Sequence, residues 1–142
     1  MIVTQQQIQQ YHEQGYCVLE RVIPQETLDG LRAECSRFIE MMHAEMDAQG
    51  TDTLGISHRN RRYFVARRYQ ESPLVTGFLF SNLMAEVTSA LLGPNVYLFH
   101  EQYVVKAAEK GYEVCLAPGF RLCGSQQWRA AQALSFLLVS AR

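Results

Sequence analysis

The chain has 142 residues, of which 48% are apolar, 19% charged and 11% aromatic, with 13 basic against 14 acidic residues and a net charge of -1. That length predicts one domain with enough apolar residue for a core, and the composition excludes a disordered chain. Near-zero net charge excludes a general field for nucleic acid or anionic membrane, so the prediction is a soluble, cytoplasmic protein with neither as partner.

Targeting signals are absent from the start, MIVTQQQIQQ, which has no basic region and no long apolar run. No uninterrupted apolar run approaches the roughly 20 residues of a membrane helix. The longest, Ala133 to Val139, is short and contains a serine. Cys17, Cys35, Cys115 and Cys123 form no C-x-x-C pair, which argues for buried thiols rather than a zinc site or a disulfide framework.

In chain order, Thr4 and Gln7 form a capping box ahead of a short helix with Ile8 and Tyr11 on one face, ended by Gly15. Tyr16 to Leu19 reads as a short strand. Pro24 opens a long amphipathic helix whose Leu28, Leu31, Cys35, Phe38, Met42 and Met46 recur at helical spacing until Gly50. This stripe is core. Residues 51–62 read as a polar loop, and Arg62 to Ala66 as a strand. Pro73 begins a helical stretch with Leu74, Phe78 and Phe80, and Ser81 caps a further helix from Asn82 to Leu92, stopped by Gly93-Pro94.

Val96 to Lys106 alternates as a strand. Strict alternation puts Val96, Leu98, His100, Gln102 and Val104 on one face and Tyr97, Phe99, Glu101, Tyr103 and Val105 on the other. His100 and Gln102 then stand either on a solvent-facing strand, which periodicity alone favours, or on the wall of a cavity that carries a few polar groups. They are the candidate cofactor-binding residues. Arg59, Arg61, Arg62, Arg67 and Arg68, interleaved with Tyr63, Phe64 and Tyr69, form a basic cluster that reads as a solvated, ion-paired loop or as a grip for phosphate or carboxylate. His12, His43 and His58 have no spacing that unites them into a metal site.

Three segments, VTQQQIQQYHEQGYCVLERVIPQETLDGLRAE, FLFSNLMAEVTSALLG and VYLFHEQYVVKAAEKG, occur in order between about residues 3 and 111. Together they resemble the phytanoyl-CoA dioxygenase family. The resemblance implies an α+β fold: N-terminal helices plus the first strands of a double-stranded β-helix, a cupin-like jelly roll, here truncated. It also implies iron(II), held by two histidines and a carboxylate, and 2-oxoglutarate, paired with an arginine, in the oxidation of a small organic substrate.

The sequence departs from this pattern after Gly111, where the family continues with an aromatic residue and His-x-Asp. Here it continues YEVCLAPGFRLCGSQQWRAAQALSFLLVSAR, with no histidine after His100 and only Glu113 as carboxylate after Glu109. No catalytic residue and no metal ligand carries over to any position. Residues 1–111 therefore read as the N-terminal part of the family domain and 112–142 as a tail foreign to it. Codons exist for Tyr112 to Gly124 which, with one nucleotide removed from the Tyr112 codon, spell Met-Lys-Phe-Ala-Trp-His-Gln-Asp-Ser-Gly-Tyr-Val-Gly. The expectation is a frameshifted tail ending at an out-of-frame stop.

Three functions follow as alternatives: an inactive fragment of an iron- and 2-oxoglutarate-dependent dioxygenase, a non-catalytic binding or regulatory domain derived from that fold, and a nucleic-acid-associated protein using Arg59 to Arg68. The truncation predicts an unpaired edge on the Val96–Lys106 strand, an apolar tail run without a partner, and self-association through that edge.

Overall fold

The computed structural model describes residues 2–106 and the strand Gln132–Ser140, the latter through its backbone. Thr4 caps α1 (Gln5–Gln14) through the predicted box: the Gln7 N–H donates to Thr4 Oγ1 and the Thr4 N–H to Gln7 Oε1. Gly15 closes the helix at φ +80°, a conformation a side chain would strain. Tyr16 to Leu19 is not a strand. The Gln7 side chain donates to the Val18 carbonyl at 2.8 Å, so the segment is fastened to α1 rather than to a strand.

Pro24 precedes α2 (Gln25–Gln49) as its N-cap, and the buried stripe is Leu31, Cys35, Phe38, Met42 and Met46. The expected polar loop is folded instead. β1 (Thr53–Leu54) and β2 (Ser57–His58) form a hairpin turned at Gly55 (φ +55°), and β2 pairs β3 (Arg62–Ala66) across a turn with Asn60 at φ +58°. Glycine and asparagine are the residues that enter this region most readily, which makes both turns possible.

A 3₁₀ turn (Tyr69–Glu71) leads to α3 (Pro73–Leu79), whose N-cap is Ser72 and whose Val75, Phe78 and Leu79 are buried while Leu74 and Phe80 are exposed. Ser81 caps α4 (Asn82–Leu92). Pro73–Leu92 spans 20 residues at mean hydropathy 1.4, long and apolar enough to cross a membrane by length and composition. It is no unbroken apolar run, since Thr76, Ser81, Asn82, Glu86, Thr88 and Ser89 interrupt it, and the break at Phe80 and Ser81 makes it two helices.

β4 (Val96–Lys106) pairs β3 antiparallel, with Phe64 opposite Val104 and Ala66 opposite Gln102. On its other side it pairs β5 (Gln132–Ser140), giving the order β1-β2-β3-β4-β5. Two expectations are therefore corrected: β4 has no open edge, and the apolar run Ala133 to Val139 lies in a strand with a partner. An uncharged apolar run satisfies a strand edge through main-chain hydrogen bonds whatever its side chains.

One sheet face, with Tyr63, Val65, Tyr103 and Val105, packs on Leu31, Cys35, Phe38 and Met42 of α2 and on Val75, Phe78 and Leu79 of α3. The mixed α+β architecture matches the expected class. Strict alternation along β4 fails at a bulge between Leu98 and His100. The extra residue moves Leu98 to the helix-packed side, where it touches the core, and leaves Tyr97 and Phe99 exposed.

Candidate functional site

The face of β3 and β4 turned away from the helices is built from register. Phe64 and Val104 form one cross-strand pair, Ala66 and Gln102 the next, and His100 follows two residues before Gln102. His100 and Gln102 are both part-exposed, beside the apolar Phe64 and Val104. The structure thus brings the two candidate residues together on one wall, two positions apart, and adds Tyr97 and Phe99 at its far end through the bulge.

Glu101, the strand's carboxylate, faces the other way and is 3% exposed. Its Oε1 accepts the Arg68 N–H at 2.5 Å and the Tyr69 N–H at 3.0 Å, which fixes the turn entering α3. The sequence carried a signal for this role, a glutamate on an otherwise apolar core face. Tyr103 also points into that core; burial pushes its hydroxyl well above the usual range, and the oxygen has no hydrogen-bond partner. Burial likewise pushes the Cys35 thiol up to about 11, as suits an inert core thiol.

The arginine cluster is largely committed to its own neighbours. Arg59 pairs with Asp47 and, at 2.9 Å, with Asp52; Arg62 donates to the Ile56 carbonyl at 2.9 Å; Arg68 pairs with Glu71 at 3.1 Å. A cleft of about 240 Å³ is lined by Asp52, His58, Arg59, Asn60 and Arg61 and shares no residue with the β3–β4 wall. The histidines stay apart: His12 lies edge-on to Tyr11, His43 bonds Tyr63, and His58 lines that cleft. The contact between His43 and Tyr63 was missed in the sequence, because no spacing rule links a helix to a strand 20 residues on.

Residues 11–118 match the family model described as phytanoyl-CoA dioxygenase (PhyH). The chain belongs to the phytanoyl-CoA dioxygenase family. No curated protein and no solved structure gives a significant match.

Family membership implies dependence on iron(II) and 2-oxoglutarate in general. Such iron is held by two histidines and one carboxylate. Among the described residues, no group of three or more His, Cys, Asp or Glu could hold a metal ion. His100 is the strand's one histidine, and the adjacent Glu101 is turned to the opposite face with its oxygen already bonded. The described residues do not fit the metal centre of the phytanoyl-CoA dioxygenases.

Proposed function

We propose that this sequence derives from a non-haem iron(II)- and 2-oxoglutarate-dependent dioxygenase that hydroxylates a small organic substrate, and that the 142-residue chain itself does not turn over. The observation that carries the reading is the β3–β4 wall of this family member. His100 and Gln102 stand on its helix-free face among apolar neighbours, the composition of a small-molecule site. The imidazole and the amide offer hydrogen bonds to a carboxylate or a hydroxyl, and the part-exposed Phe64, opposite the buried Val104, offers an apolar surface beside them.

A non-catalytic binding domain is the second reading, favoured by the missing metal cluster among the described residues. Incubation of the chain with iron(II), ascorbate and 2-oxoglutarate tests the first. Succinate is expected to stay at the level of a metal-only blank, and succinate above that blank overturns the claim of inactivity.

A further inference from the structure

We infer that the cleft beside the β2–β3 turn is a phosphate site, in which Arg61, Asn60 and His58 hold inorganic phosphate or the phosphate group of a small monoester. The site lies apart from the β3–β4 wall and does not depend on the dioxygenase reading. Every residue that lines it, Asp52, His58, Arg59, Asn60 and Arg61, is polar or charged. Its volume of about 240 Å³ falls below the roughly 300–1,000 Å³ of pockets that take drug-sized molecules through apolar walls. A small, charged ligand fits such a cleft.

The sign of that ligand follows from the groups already used. Arg59 is spent on Asp47, on Asp52 at 2.9 Å and on the His43 carbonyl, and so covers the one carboxylate of the lining. Among the described residues, the Arg61 side chain has no carboxylate and no hydrogen-bond acceptor, and Arg62 spends its Nε on the Ile56 carbonyl rather than on a charge. Arg59, Arg61 and Arg62 thus stand against Asp47 and Asp52, a surplus of one positive charge. Such a surplus attracts an anion.

The turn's main-chain donors are spent as well. The Arg59 N–H donates to the Asp52 carbonyl at 2.9 Å, the Asn60 N–H to the Tyr63 hydroxyl at 2.6 Å and the Arg61 N–H to the His58 carbonyl at 3.1 Å. Recognition is left to side chains. Among the described residues, the Asn60 amide and the His58 imidazole have no hydrogen-bond partner either. The cleft therefore offers a guanidinium fork, an amide NH₂ and a ring N–H. A carboxylate is satisfied by the fork alone, whereas a phosphate has further oxygens for the amide and the ring. The bonded turn holds these groups in place before the ligand arrives, which lowers the cost of binding.

Titration calorimetry of the 142-residue chain with inorganic phosphate, methyl phosphate and acetate at low salt tests the inference. Saturable phosphate binding at one site per chain is expected. Arg61→Gln should weaken it about tenfold, and Asn60→Gly, which keeps the positive φ, about fivefold. Arg61→Lys keeps the charge without the fork and should fall between Arg61→Gln and the wild type, a second reading should Arg61→Gln fail to fold. Arg67→Gln removes an exposed arginine outside the cleft and should leave the affinity unchanged. Methyl phosphate binding as tightly as the free ion assigns the site to monoesters, and binding of the free ion alone assigns it to inorganic phosphate. No saturable phosphate binding, an equal loss in Arg67→Gln, or acetate binding as tightly as phosphate overturns the inference.

Discussion

The Tyr63 hydroxyl lies 2.7 Å from His43 Nε2 and accepts the Asn60 N–H at 2.6 Å. One side chain of β3 thereby ties the β2–β3 turn to the last turns of α2. The hydroxyl oxygen thus joins the backbone N–H and the imidazole at one point, the direction of the bond to Nε2 following the imidazole tautomer. Arg59 reinforces the same junction from the turn, reaching Asp47, Asp52 and the His43 carbonyl.

Replacing Tyr63 by Phe removes this bridge and leaves Nε2 and the Asn60 N–H without a partner. The expected loss is about 1–3 kcal/mol of stability, the usual cost of orphaning a part-buried polar group. Urea denaturation of Tyr63→Phe, His43→Ala and the double variant gives the coupling. Additive losses would show that the two side chains do not act together.

Glu101→Ala is expected to cost roughly 3 kcal/mol, because a buried carboxylate that accepts two backbone N–H groups is lost at the entrance to α3. Glu101→Gln keeps an acceptor oxygen and should cost clearly less. Equal losses in the two variants would mean that packing, and not these hydrogen bonds, sets the value.

The helices were legible because their signals are local. Thr4, Ser72 and Ser81 cap where short-range chemistry allows, and the spacing from Leu31 to Met46 records which side of α2 meets the sheet. Period-two alternation gave β3, and gave β4 only from His100 onward. The bulge at Leu98 is a mismatch in length between partner strands, which no single strand's sequence records. Tyr16 to Leu19 has strand composition, but strands need a neighbour, and Gln7 takes its carbonyl instead. The pairing of His100 with Gln102 was readable for the same reason as the rest of β4, since both lie beyond the bulge.

Stability should fall on the acid side through Glu34. Its hydrogen bond to Arg37, with a further one to Ser72, holds the carboxyl below its ordinary value of 4.5. A lowered folded-state value stabilises the fold above pH 4.5, and this contribution is lost as pH falls through the folded value. The thermal midpoints of the wild type and Glu34→Gln should therefore draw together as the pH falls below 4.5 and the carboxyl takes up its proton. A constant gap between them down to pH 3 would assign the effect to another carboxylate.

His100→Ala belongs in a chain rebuilt with the reading frame shifted at Tyr112. Loss of one hydrogen bond on the β3–β4 wall predicts a roughly tenfold rise in KM for 2-oxoglutarate or substrate, about 1.4 kcal/mol. The thermal midpoint should hold, since the side chain is part-exposed and off the helix-packed core. Unchanged kinetics would make His100 a structural residue of the strand.

Self-association of the 142-residue chain is expected from a different source than an open β4. Among the described residues β5 is the last strand of the sheet, and sheet edges offer main-chain groups to other chains. Beside it on β4 the bulge leaves Tyr97 and Phe99 64% and 65% exposed, so apolar surface adjoins the edge. Sedimentation should show concentration-dependent oligomers with helical circular dichroism and a broad thermal transition. Tyr97→Lys with Phe99→Lys adds charge on that surface and should shift the distribution toward monomer. A monomeric unmodified chain with one sharp transition would show that edge and aromatics together are too weak to recruit a second copy.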